Sequence, residues 1–299
     1  MWVRTIFVIV AVLLLGTSYA GPTRLPLFGP VPTLRLVAEA APTIRTSGRL
    51  TWLAGARIES DDPLVGGFSA LAARGRHFTL LNDGGNFVRF DLGAGGGARG
   101  VRFGELPDGP GTGWEKRDRD SESLIVGEDG TMWVGFERAN AVWRYAPGFA
   151  RAEAWARPPT MRRWDANGGP ESLVRLRDGR FVAFSEESRW RGQPGLAAVL
   201  FAGDPAEAPR LAARFSYLPA PGFAVADAAT LPNGDLIVLE RRWLLPLRFR
   251  SRLALVKPGA LKPGALVRGI ELGRIVAPWP TENYEGVVAT RDDPAEFDA

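Results

Sequence analysis

The chain has 299 residues, with 37 Lys and Arg against 33 Asp and Glu, a net charge of +4, a single histidine and no cysteine. The absence of cysteine excludes disulfides, thiolate catalysis, cysteine-bound zinc and a lipid anchor on an N-terminal cysteine. The basic residues are scattered among the acids with no Lys/Arg block, so nucleic acid is not an expected partner.

At the N-terminus, "MWVRTIFVIVAVLLLGTSYAG" places Arg4 before an apolar run from Ile6 to Leu15, with Ser18 and Ala20 at the cleavage positions before Gly21. That is the pattern of an export signal over residues 1–20. The apolar run is too short for a stable membrane span. The protein is expected to be periplasmic or secreted, or held at the inner membrane if the segment is not cleaved. Residues 21–45 read as a Pro-rich lead-in, and residues 46–299 as one domain.

From residue 46 onward, short apolar segments alternate with Gly, Pro, Asn and Asp turns, and no long amphipathic helix interrupts them. With 36 Gly and 24 Pro, this texture predicts many short strands. His77 lies in "GRHFTLLND"; no G-x-S-x-G elbow accompanies it, so it reads as a strand-edge residue and not as part of a Ser-His-Asp triad. The "GAGGG" of residues 93–97 lacks the Lys-Ser/Thr ending of a phosphate loop and reads as a flexible connection. Trp133, Trp143, Trp164 and Trp190 are expected to pack in the core.

Three phrases then repeat one plan: "SESLIVGEDGTMWVGFE", "PESLVRLRDGRFVAFSE" and "VADAATLPNGDLIVLE". Each places an acid before an Asp-Gly or Asn-Gly turn and another after it. If each dipeptide is a two-residue hairpin loop, Glu122 lies opposite Glu137, Glu171 opposite Glu186 and Asp227 opposite Glu240. Facing carboxylates at a cross-strand distance of ~5 Å repel, and must share a proton, hold a cation or meet an arginine. A further copy surrounds Glu285 in "TENYEGVVA", and an earlier one runs through Ser69 and Asn82-Asp83. A period of roughly 50 residues with four short strands per unit predicts an all-β fold, a β-propeller of five to six four-stranded blades. The strand expected after "NYEGVVA" is missing, so closure at the C-terminus is left either to the N-terminal segment or incomplete. The repeated acids are expected to crowd one mouth of the central channel.

The series "GGFSAL", "DSESL…DGTMWVGFER", "NGGPESLVRLRDGR", "ADAATLPNGDLIVLERR" and "ENYEGVVA" resembles the phytase-like family, the "esterase-like activity of phytase" proteins exported by bacteria. The resemblance runs from about Gly48 to Ala289. It implies a propeller, export, and hydrolysis of phosphate monoesters or carboxylic esters. The calcium-dependent propeller phytases, which share only architecture with this chain, suggest a cation held by carboxylates. Ser123 and Ser172 stand where a Gly is expected after the acid, whereas Gly286 keeps it.

The chemistry expected is that of a hard divalent cation, calcium before magnesium, because the candidate donors are all oxygens. Glu122, Glu171, Asp227 and Glu285 are assigned as metal ligands. Glu137, Glu186 and Glu240 are assigned to catalysis, and Arg241 and Arg138 to a small anionic or ester substrate. Two alternatives stay open. One is a sugar-lactone hydrolase relying on Asn82, Asn167 and Asn283; the other is a non-catalytic scaffold in which the same acids tie blades together.

Overall fold

The computed structural model describes residues 28–113, 115–244 and 248–290; the expected export signal, residues 1–20, lies outside them. Among the described residues, four antiparallel four-stranded blades follow one another in chain order. The first comprises Phe68–Arg74, His77–Asn82, Asn86–Leu92 and Ala98–Glu105. The second comprises Ser121–Val126, Met132–Phe136, Ala141–Tyr145 and Ala152–Ala156. The third comprises Pro170–Arg175, Phe181–Ser185, Leu196–Phe201 and Ala212–Tyr217, with Leu266–Val267 added in parallel on its outer edge. The fourth comprises Ala224–Thr230, Leu236–Leu244, Arg248–Val256 and Ile270–Ile275.

The first three blades bury apolar side chains on both faces, so the core divides into layers between blades. Leu81 and Phe87 of the first blade meet Leu124, Met132 and Val134 of the second. Trp133 and Val142 of the second meet Phe181 and Val199 of the third, with Met161 and Trp164 of the connection sealing the layer. Val182, Phe184 and Tyr217 of the third meet Val225, Leu236 and Val238 of the fourth. Trp133, Trp143 and Trp164 are buried as expected, and Trp190 packs at the edge of the same layer. These buried aromatic and aliphatic side chains, each contributing about 1.5–3 kcal/mol, hold blade to blade without hydrogen-bonded sheet continuity.

The first residues described are built into the same body. Arg35–Ala38 pairs with Ala56–Glu59, and Phe28, Leu36 and Ile58 pack on Leu80, Val88 and Phe90 of the first blade. On the other side, the Arg49 amide donates to the Leu272 carbonyl (2.6 Å) of the fourth blade, and the Trp279 indole to Ile44 (2.6 Å). The N-terminal stretch is therefore attached to both the first and the fourth blade.

The repeated turns are longer than two residues. Gly127, Leu176 and Leu231 close the three hairpins by donating to the carbonyls of Thr131, Arg180 and Asp235. This leaves three-residue loops in which only Gly130, Gly179 and Gly234 adopt positive φ. Asp129, Asp178 and Asn233 use their side chains instead, accepting from the amide two residues on at 3.0–3.1 Å. The register expected from a two-residue loop is thereby corrected by one residue. Gly135 faces Ser123, Ala183 faces Leu173 and Leu239 faces Asp227. No acid of the three pairs lies directly opposite its partner.

Candidate active site

A second irregularity re-aims the acids. Each inner strand carries a bulge near its start, at Ser69, Glu122, Glu171 and Ala226, where one residue drops out of the pairing. Bulges bend a strand and turn a side chain out of strict alternation. Glu122 and Glu171 are the two bulged acids. The corresponding register position on the second strand is Asp83, Glu137 and Glu186, each just past the strand end, and Arg241 inside the longer strand of the fourth blade. Bulge and strand end together bring these side chains to one channel mouth.

Two carboxylate triads result. Ligand atoms of Asp120, Glu122 and Glu137 all lie within 4.8 Å of one another, as do those of Glu137, Glu171 and Glu186. Glu137 belongs to both. Its backbone is held by donation from its amide to the Asp120 carbonyl (2.8 Å). The "NGGPES" loop passes close by: a Cβ on Gly169 would stand 2.5 Å from the Glu137 carbonyl oxygen, so this position has no room for a side chain.

Cations neutralise only part of this charge. Arg241 donates to Glu186 at 3.0 Å and to Glu285 at 2.8 Å, and stands 3.6 Å from Glu171. It also donates to the Asn283 oxygen at 2.7 Å, and Asn283 in turn donates to Glu285. Arg138 donates to Asp120 at 2.9 Å, and Lys116 pairs with Asp83 at 2.5 Å. Among these described residues, seven carboxyls therefore face three cations at this mouth.

Burial does the rest. Desolvation, joined by repulsion from Asp120, Glu137 and Glu285, pushes the Glu122 carboxyl up to about 9. Desolvation with Asp120 and Glu186 pushes Glu137 up to about 7. Glu171 is driven well above the ordinary carboxyl range by burial and by Glu186, and Glu186 is raised by burial against the pull of Arg241. At neutral pH such a cluster holds protons or holds a cation. The donor set is oxygen throughout, buried and crowded, which fits a hard divalent ion and not zinc or copper.

Not every sequence-assigned residue joins this cluster. Asp227 occupies the register position of Ser123 and Ser172, one past the bulge, where Ala226 stands. It lies within the channel and accepts the Val287 amide at 2.8 Å. Burial raises its carboxyl to about 7. Glu240 is 0% exposed and turned into the blade. There it faces Arg252 at 2.9 Å and accepts from the Tyr217 hydroxyl at 2.6 Å and the Ala220 amide at 3.0 Å. Arg241, one residue on, takes the place that Glu137 and Glu186 hold in their own blades. Arg138 reaches the cluster only through Asp120.

Asp120 and Lys116 carry no repeat signal in the sequence, and Asp83 is the first blade's counterpart of Glu137. Of the lactone-hydrolase residues, Asn283 stands at the cluster, whereas Asn82 turns its oxygen onto the amides of Gly84 and Asn86. His77 pairs with Asp91 at the turn end of the first blade, away from the acids.

An inner-strand channel with carboxylates at one mouth and cross-blade burial defines an all-β propeller with a candidate cation site. The chain belongs to the phytase-like family, whose description is "esterase-like activity of phytase": the family profile matches residues 63–296. No curated protein matches the chain. Among solved structures, it is similar to a streptogramin B lyase at 12% identity and a TM-score of 0.42, covering 87% of this chain and 78% of that one. It is also similar to a catalytically inactive virginiamycin B lyase from Staphylococcus aureus with quinupristin, at 10% identity and a TM-score of 0.41, over 88% and 80% of the two chains. A putative gluconolactonase matches at 12% identity and a TM-score of 0.40, over 85% and 89%.

Proposed function

We propose that this protein is an exported ester hydrolase, acting on phosphate monoesters or carboxylic esters at the acidic mouth of its propeller with a divalent cation, calcium first. Membership of the phytase-like family supports the reaction class. The observation that carries the site is the pair of carboxylate triads sharing Glu137. Asp120, Glu122, Glu137 and Glu171 would hold the cation. When bound, it supplies a positive centre that polarises the ester and acidifies water. Glu186, which lines the adjoining cavity, accepts a proton from the attacking water. The water oxygen bonds to phosphorus or to the acyl carbon, the bond from that atom to the ester oxygen breaks, and the alcohol leaves with the proton that Glu186 took up. Arg241, already inside the cluster, presents its guanidinium to the developing oxyanion.

In this reading the substrate is a small anionic or ester molecule, not nucleic acid. Residues 1–20 act as the export signal, residues 21–45 as the lead-in and residues 46–299 as the working domain, placing it in the periplasm or outside the cell. Among the described residues no helix is long and apolar enough to cross a membrane. The propeller count we favour is five. The Val287 amide bonds to Asp227, and Gly286 lies against Leu71 of the first blade; both contacts support a fifth inner position for residues 285–289 between the fourth and first blades. The N-terminal sheets would supply the outer part of that fifth unit.

The test is turnover of 4-nitrophenyl phosphate and 4-nitrophenyl acetate with calcium, with magnesium and after chelation. Hydrolysis that is lost on chelation and in Glu137→Gln, with the circular dichroism unchanged, is the expected outcome. No turnover of either ester, with melting indifferent to both cations, would leave the acids as an ion network tying blades together.

A further inference from the structure

The fourth blade differs from the others in one hairpin. Its second and third strands, Leu236–Leu244 and Arg248–Val256, run nine residues each, against five for the second strands of the second and third blades. The pairing continues past Arg241 through Trp243, which faces Phe249 directly. Arg241 is at the acidic cluster, so the hairpin overhangs the mouth and carries two aromatic side chains beyond it. Trp243 is 61% exposed, an uncommon state for the largest apolar side chain.

The overhang walls a cavity of roughly 670 Å³ beside the cluster. Glu186, Arg241 and Glu285 line it at the cluster, Trp243 and Phe249 line it further out along the hairpin, and Phe223 adds a third aromatic side chain. The other charged groups lining it are Glu187 and Arg189. Three carboxylates thus face two guanidiniums, and one of these, Arg241, already serves Glu171, Glu186 and Glu285. A ligand carrying many phosphates would meet more negative than positive charge here, even with one divalent cation beside it. A ligand with one reacting group and one flat apolar group meets complementary surfaces at both ends.

Resting on the hydrolase reading above, we infer that the substrate is an ester with a single phosphate or carboxyl centre and an aromatic ring, and that the ring packs on Trp243 and Phe249. An inositol polyphosphate does not fit this cavity. The apolar end opens onto the polar one within a single cavity, which favours a small molecule that bridges them over a protein partner or a lipid surface.

Calorimetric binding with calcium present would compare three unreactive probes: benzylphosphonate, methylphosphonate and inositol hexakisphosphate. Benzylphosphonate is expected to bind about tenfold more tightly than methylphosphonate, and Trp243→Ala to erase that difference while leaving methylphosphonate unchanged. Phe249→Ala is expected to act in the same direction, and circular dichroism checks the fold of both. Tightest binding by inositol hexakisphosphate, or equal binding of the two phosphonates, overturns the inference. So does a Trp243→Ala protein that loses only vesicle binding or self-association. If no ester is hydrolysed yet the ring preference depends on Trp243, the hydrolase reading falls and the ring site stands. If esters are hydrolysed through Glu137 and Trp243→Ala is silent, the ring site alone falls.

Discussion

Glu137 is where the two triads meet, and its side chain distinguishes a cation site from a blade tie. Replacing it with Gln keeps the shape and removes one ionisable group from a set already crowded with like charge. Turnover is expected to fall at least about 100-fold and the calcium-induced rise in melting temperature to disappear. The calcium-free protein is expected to melt no lower at pH 8, because a repelling carboxyl has gone. Arg241 should behave in the opposite way. Arg241→Gln leaves Glu171, Glu186 and Glu285 facing one another without their shared guanidinium, at a place where Glu171 is 8% exposed. A loss of about 3 kcal/mol is expected in urea unfolding at pH 8, and a smaller one at pH 5, because burial raises Glu171 and Glu186 toward their neutral forms. Equal losses at the two pH values would place the role of Arg241 in packing.

The blade hairpin is the element that carries both fold and site. Asp-Gly and Asn-Gly marked it in the sequence, and the roughly 50-residue spacing made the propeller legible without any single specific motif. The register was less legible. The same dipeptides serve two-residue and three-residue loops, and only the backbone at Gly130, Gly179 and Gly234 decides between them. The bulges at Glu122 and Glu171 then bring the acids together by a route that strict pairing does not contain. In the fourth blade Glu240 lies one residue nearer its turn than Glu137 and Glu186 do, so Arg241 takes the cluster position and the supposed metal or catalytic carboxylate becomes a buried partner of Arg252. Asp120 could not be read at all, because it precedes the repeat and owes its place to the backbone bond between Asp120 and Glu137.

Two further outcomes belong to this scale. Glu240→Gln leaves Arg252 with Glu271 as its remaining carboxylate partner and is expected to cost about 2 kcal/mol while leaving the calcium response intact. Gly169→Ala is expected to do the reverse: the new methyl group pushes the end of the second strand and Glu137 aside, weakening the calcium response more than global stability. Denaturant unfolding and calcium-dependent melting, measured on both variants, separate the two roles.

Over the whole molecule, charge is sorted by channel mouth. The clustered acids stand at the strand-start mouth, and Arg74, Arg175 and Arg177 outnumber Glu128 at the mouth by the hairpin turns. The chain's net charge of +4 therefore conceals a strongly acidic end. This sorting has a pH signature. Glu122 and Glu137 are raised to about 9 and about 7 in the folded protein, above the ordinary 4.5. The folded state thus binds protons that the unfolded chain has released. Their contribution to stability is complete below about pH 4.5 and is lost as pH rises through 7 toward 9. Without a divalent cation, the melting temperature is expected to fall across that window. Calcium at 100 times its dissociation constant would restore about 2.7 kcal/mol. Melting that is flat from pH 5 to 9 would mean the cluster is solvated and relaxed.

The most direct measurement is diffraction from crystals soaked in calcium at pH 8, with the anomalous signal used to locate the ion. Density is expected between Glu137 and its neighbours Asp120, Glu122, Glu171 or Glu186, absent from Glu137→Gln crystals. A clean map there at saturating calcium, with the carboxylates still paired only to Arg241, Arg138 and Lys116, would contradict it.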